Sequence, residues 1–161
     1  MRTLIIAGAA AALLAGAAMA QPNSNRRATL YAALTGLQEI PGPGDADGNG
    51  TVEIRVVPRQ GSVCWNLYAR AIGPATAAHI HRGPAGASGP PVLALTTPDA
   101  NGRSQGCATV DPGLAREMGY APQEFYVNVH NETHPSGAIR GQLRNISAPP
   151  ESYRQQTGSG R

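Results

Sequence analysis

Short runs in which apolar and polar side chains alternate, cut apart by clusters of Gly, Pro, Asn and Asp, fill most of this 161-residue chain. Alternation has a period of two, which a strand satisfies and a helix does not. Over residues 51–57, Val52, Ile54 and Val56 alternate with Glu53 and Arg55, and Pro58 ends the run. Residues 63–71 put Val63, Trp65, Leu67 and Ala69 on one face and Cys64, Asn66, Tyr68 and Arg70 on the other. Residues 29–37 alternate through Leu30, Ala32 and Leu34. Shorter strands are expected over 76–82, 92–96, 106–110, 124–130 and 138–143, and one helical turn over 114–118 with Asp111 or Gly113 near its start. A parallel α/β fold would need crossover helices, and this pattern offers none. The expectation is therefore an all-β sandwich or barrel.

The ends of the chain read differently. Arg2, an apolar stretch over 4–18 and Ala18-Met19-Ala20 form the outline of a secretory signal peptide over 1–20, too short to be a stable membrane span. Residues 21–27 read as a flexible lead-in, 28–144 as the domain, and 145–161, rich in Ser, Pro, Gln, Gly and Arg, as a disordered tail. The expected location is outside the cytoplasm, periplasmic or secreted. No second apolar stretch is long enough to span a bilayer once the leader is removed. The formal net charge is +3, all the basic residues are Arg, and no basic cluster is interleaved with aromatics, which argues against nucleic acid as a partner. Cys64 and Cys107 are the two cysteines. An even count in an exported chain favours one disulfide, with two buried thiols or soft metal ligands as alternatives.

Chemistry concentrates on histidine. His79 and His81 are two apart in Ala-Ala-His-Ile-His-Arg-Gly, so in a strand they project from the same face about 6.5–7 Å apart. His130 ends the run Phe-Tyr-Val-Asn-Val-His, and His134 follows four residues later. If Ala78, Ile80, Phe125, Val127, Val129, Ile139 and Leu143 face a core, parity gathers His79, His81, Tyr126, Asn128, His130, Arg140 and Gln142 on polar faces. Should those strands be neighbours, the residues form one patch. Imidazole is the commonest metal ligand, and three of them suit copper or zinc, with water or His134 completing the shell. The competing reading is a set of outward histidines hydrogen-bonded on a sheet surface. Arg140 would repel a cation yet could steer an anion to a bound metal.

Other motifs carry less. Asp45-Ala-Asp-Gly-Asn-Gly50 matches the opening of a calcium loop, but Val56 stands where the bidentate Glu is required, so a polar turn between strands is the better reading. Asn131-Glu-Thr133 and Asn145-Ile-Ser147 match the glycosylation sequon. No nucleophile elbow or phosphate loop is present.

Residues 77–92, Ala-Ala-His-Ile-His-Arg-Gly-Pro-Ala-Gly-Ala-Ser-Gly-Pro-Pro-Val, with Tyr-Val-Asn-Val-His at 126–130 and Pro-Ser-Gly-Ala-Ile-Arg-Gly-Gln-Leu at 135–143, resemble the CHRD (chordin-type) domain family over roughly residues 28–144. Ala138 departs from the pattern, where an acidic residue is frequent. In animals the domain occurs in a secreted antagonist of bone morphogenetic proteins, and stand-alone versions look like exported bacterial proteins. More distantly, His79-Ile-His81 with Gly83, Val-Asn-Val-His130, and Gly137 with Arg140 are similar to the copper ligands and anion-guiding arginine of copper/zinc superoxide dismutase. That likeness implies a Greek-key, immunoglobulin-like sandwich and copper in preference to zinc, although no zinc-binding loop lies between His81 and His130.

Together these readings rank three functions. The first is an exported copper-binding module using His79, His81 and His130, with His134 as a fourth ligand and zinc as the alternative ion. The second is a module that binds an extracytoplasmic protein or matrix without metal. The third is a superoxide dismutase-like enzyme with Arg140 as anion guide. A non-enzymatic role is favoured over the last.

Overall fold

The computed structural model describes residues 26–145. The expected leader over 1–20, most of the 21–27 segment and all but the first residue of the 145–161 tail lie outside the described residues. Nine strands follow in chain order: β1 (Ala28–Thr35), β2 (Asn49–Val57), β3 (Ser62–Arg70), β4 (Ala75–Arg82), β5 (Pro91–Leu95), β6 (Arg103–Thr109), β7 (Phe125–Asn131), β8 (Ile139–Gln142) and β9 (Arg144–Asn145). One helix, α1 (Pro112–Tyr120), lies between β6 and β7. No helix among the described residues is long and apolar enough to cross a membrane.

The strands form one antiparallel sheet in the order β5-β4-β7-β8-β1-β2-β3-β6, with β9 alongside β1. It bends into two halves, β6-β3-β2-β1 and β8-β7-β4-β5. These join where Thr35 of β1 pairs with Arg140 of β8. At the other side β5 and β6 are not paired as strands, but the Ser104 hydroxyl donates to the Thr96 carbonyl across the gap. The result is a nearly closed all-β fold. Strand β6 returns beside β3, and β7 beside β4, which is a Greek-key connection pattern.

Parity explains the interior. Leu30, Ala32 and Leu34, Val52, Ile54 and Val56, Val63, Trp65, Leu67 and Ala69, Ala78 and Ile80, and Phe125, Val127 and Val129 are all buried in one cluster. Each fully buried aliphatic or aromatic side chain of this kind contributes roughly 1.5–3 kcal/mol. Trp65 also finds a polar partner, its indole N–H donating to Ser104 Oγ at 3.1 Å. Gly106 lies opposite Trp65, and a Cβ there would meet the indole ring at 2.6 Å.

Two local outcomes refine the expectations. The run over 29–37 stops at Thr35, because residues Gly36–Gln38 turn in a 3-10 conformation and leave Leu37 exposed. The expected helical turn is a nine-residue helix. Pro112 supplies a pre-set φ in its first turn, and the Asp111 carboxylate accepts hydrogen bonds from the N–H groups of Gly113 and Leu114. Ala115 and Met118 of α1 are fully buried, so the helix plugs an end of the barrel. Its outer side is tied to β4 by a two-point ion pair between Arg82 and Glu117.

Cys64 and Cys107 are directly opposed on β3 and β6 and form a disulfide, which removes the thiol and soft-ligand alternatives. Asn131 is 4% exposed, its amide donates to the Ile72 carbonyl, and its Oδ1 accepts from Thr133 and from the backbone N–H of His134. That sequon is structural, a turn-forming side chain with no room for a glycan.

Candidate metal centre

The adjacency that parity could not supply is present. Strands β4, β7 and β8 are consecutive in the sheet. His79 pairs with Asn128, which pairs with Arg140, and His81 pairs with Tyr126, which pairs with Gln142. His130 lies opposite Ala77 in the next row. All seven residues gathered by alternation therefore share one face of the same three strands.

His79, His81 and His130 converge. One ring nitrogen from each lies within 4.8 Å of the others, close enough for a single ion between them. Hydrogen bonding fixes which nitrogens those are. His81 Nδ1 is 2.9 Å from the Gly89 carbonyl, and His130 Nδ1 is 3.0 Å from the Pro135 carbonyl. A carbonyl can only accept, so both Nδ1 atoms carry the proton and both Nε2 atoms keep a lone pair. His81 Nε2 is buried without a partner, and His130 Nε2 faces His79 Nδ1 at 3.2 Å. His130 Nε2 accepts from His79 Nδ1–H, so only His81 Nε2 is free as the rings stand; moving the His79 proton to its own Nε2 would leave three nitrogens, His79 Nδ1, His81 Nε2 and His130 Nε2, able to face one ion. Backbone carbonyls holding the non-ligating nitrogens are the usual outer support of histidine metal sites.

Electrostatics favour neutral rings. The pKa of His79 is lowered, first by burial and then by the neighbouring His130 and His81. That of His130 is lowered mainly by burial and less by His81, against the opposing pull of the Pro135 carbonyl. At His79 and His130, protons therefore compete weakly with a metal ion at neutral pH.

The fourth histidine sits elsewhere. His134 is outside the converging group, with its Nδ1 3.0 Å from Thr133 Oγ1 and 3.8 Å from Asp45 Oδ2. Arg140 joins the face but not its surface. It is 2% exposed, and its Nη2 donates to the carbonyls of Pro84 at 3.2 Å and Ala87 at 2.8 Å. Its guanidinium carbon lies 3.4 Å from the centroid of the Tyr126 ring. The Tyr126 ring also stacks on His81, centroids 4.8 Å apart and planes 13° from parallel. Gly89 N–H donates to the Tyr126 hydroxyl, which donates in turn to the Gly89 carbonyl that receives the His81 proton. Gln142 closes the far edge, its amide donating to the Gly83 carbonyl at 2.9 Å. The backbone of the 83–90 loop is therefore pinned over the face by four side chains of the strands, His81, Tyr126, Arg140 and Gln142.

One residue escaped the periodicity. Glu39, in the turn after β1, is 3% exposed and accepts a long hydrogen bond from Asn128 Nδ2 at 3.4 Å. Burial raises its pKa from 4.5 to about 7, against the opposing effects of the Asn128 hydrogen bond and the Arg140 charge. A lone acid beside a Pro-Gly turn gave no period to read; only the turn's fold-back places it here.

The CHRD domain family model matches residues 30–143. No curated protein and no solved structure matches the chain.

Proposed function

The chain belongs to the CHRD-domain family, and we propose that it is a metal-binding module that takes copper through His79, His81 and His130. The observation that carries this reading is the tautomer pattern. Two carbonyls hold the outer nitrogens of His81 and His130, which turns both Nε2 lone pairs inward, and one ring nitrogen from each of the three histidines lies within ligand distance of the others. Histidines serving only as surface polar groups would not need a buried, unpartnered Nε2, which costs roughly 1–3 kcal/mol if nothing ever occupies it. The donor set is all imidazole, which suits copper and zinc alike; copper is favoured by the resemblance of the histidine spacing. The Cys64–Cys107 disulfide supports a working place outside the cytoplasm, since reducing compartments rarely keep such a bond.

An enzymatic role of the dismutase type is less well supported. Arg140, which would have to stand at the mouth of the site to guide anions, is buried and committed to the Pro84 and Ala87 carbonyls.

The test is a titration of the chelator-stripped protein with copper and with zinc, followed by calorimetry, in wild type and in the H79A/H81A double variant. Wild type should bind one equivalent of copper, and the double variant none while its circular dichroism is unchanged. Equal uptake by both proteins would dispose of the site.

A further inference from the structure

A metal centre made only of neutral imidazoles leaves the whole charge of its ion uncompensated. The converging group contains three histidines and neither carboxylate nor thiolate. A divalent ion would put two positive charges into a half-buried pocket. Behind that pocket stands a further cation, and it is not exposed to solvent. Arg140 is 2% exposed, its Nη1 is buried without a hydrogen-bond partner, and its guanidinium carbon lies over the Tyr126 ring, on which His81 also stacks. No ion pair ties Arg140 to a carboxylate within 4 Å among the described residues. Glu39 is the acid that faces it, and its ionisation is delayed to about pH 7 by burial. Guanidinium does not lose its proton in proteins, so the charge is permanent.

We propose, resting on the metal reading above, that this centre is built for the monovalent cuprous ion and that Arg140, buried behind Tyr126, sets the preference. Three imidazoles can satisfy a low-coordinate monovalent ion without an anionic ligand. The fixed charge penalises each added positive charge at the site, so it weighs once against Cu(I) and twice against Cu(II). Across one intervening aromatic ring, a unit charge acting at an effective dielectric constant of about 20 changes the ratio of the two affinities by on the order of tenfold. Tyr126 is the spacer between the charge and the histidines. Its ring is held between His81 and Arg140, and its hydroxyl is held by Gly89. Arg140 acts through it as a positioning and charge-setting residue, without touching the ion.

The experiment measures the reduction midpoint of the copper-loaded full chain by potentiometric titration with the Cu(II) paramagnetic signal as readout, together with competition affinities for Cu(I) and Cu(II). It is run at pH 8 on wild type, R140Q, R140K and E39Q. Wild type should hold Cu(I) more tightly than Cu(II). R140Q should lower the midpoint, shifting the affinity ratio on the order of tenfold towards Cu(II). R140K, which keeps the charge but not the planar fork, should stay near wild type. E39Q, which removes the facing negative charge and nearly preserves shape, should shift the ratio the opposite way and so tests the idea even if R140Q does not fold. Tighter Cu(II) than Cu(I) binding in wild type would overturn the inference. So would indifference to both R140Q and E39Q, or an R140K shift equal to that of R140Q, which would assign the effect to the 83–90 loop. Failure to bind either copper ion would overturn the metal reading and this inference together, whereas binding with an insensitive ratio would overturn this inference alone.

Discussion

Replacing Glu39 by Gln should flatten part of the pH dependence of stability, and the sign follows from the direction of its shift. The carboxyl is buried under the turn after β1, with Asn128 donating to it and Arg140 as the facing charge. Its pKa rises from 4.5 to about 7 on folding. Between those values the folded chain holds a proton that the unfolded chain has released, so stability falls as pH rises. The favourable contribution is complete below about pH 4.5 and gone above about pH 7. The interval corresponds to an upper bound of roughly 3 kcal/mol, and solvent screening around a loop-covered carboxyl reduces it to about 2 kcal/mol. The assay is urea denaturation of the chelator-stripped protein at half-unit steps from pH 4.5 to 8, in wild type and E39Q. Every other titratable group is common to both proteins, so the quantity of interest is the difference between the two curves. E39Q should gain about 2 kcal/mol on wild type across the window, because its amide keeps the Asn128 bond without acquiring charge. Parallel profiles would refute the reasoning and place the carboxyl in contact with solvent.

Two further outcomes are expected from the fold. Reducing Cys64–Cys107, which closes a loop of sequence separation 43, should cost about 3–4 kcal/mol in the chain-entropy account, read as a lower urea midpoint with reductant present. In a host that attaches N-glycans, Asn131 should stay unmodified in the folded protein, because its side chain is enclosed by Ile72, Thr133 and His134; intact-mass and peptide mass spectrometry would detect a glycan there and contradict the burial.

How far the molecule could be read from its sequence depends on which physical constraint is local. Alternation is local, so the inward faces of β2, β3, β4 and β7 and the outward set on β4, β7 and β8 were legible residue by residue. The helix was visible only as one turn, because its length is decided by Asp111 capping upstream and by Ala115 and Met118 reaching the barrel end, a tertiary matter. Strand order was not legible, since no residue pattern says that β7 should lie between β4 and β8.

The largest gap concerns what covers the polar face. Period two separates two sides of a strand but does not say which side meets water. Asn128 and Arg140 fall on the polar side as expected, yet both are buried. The 83–90 loop, the turn carrying Glu39 and the segment through Ser136 fold back over them, each anchored by the side chains it covers. The covering also makes chemistry out of the face. Without Gly89 and Pro135 overhead, His81 and His130 would have no carbonyl to fix their protons on Nδ1 and no reason to turn Nε2 inward. The histidines supply the nitrogens and the connections select which of them are free, so under the proposed metal binding, loop changes at Gly89 or Pro135 should lower copper affinity in the same titration.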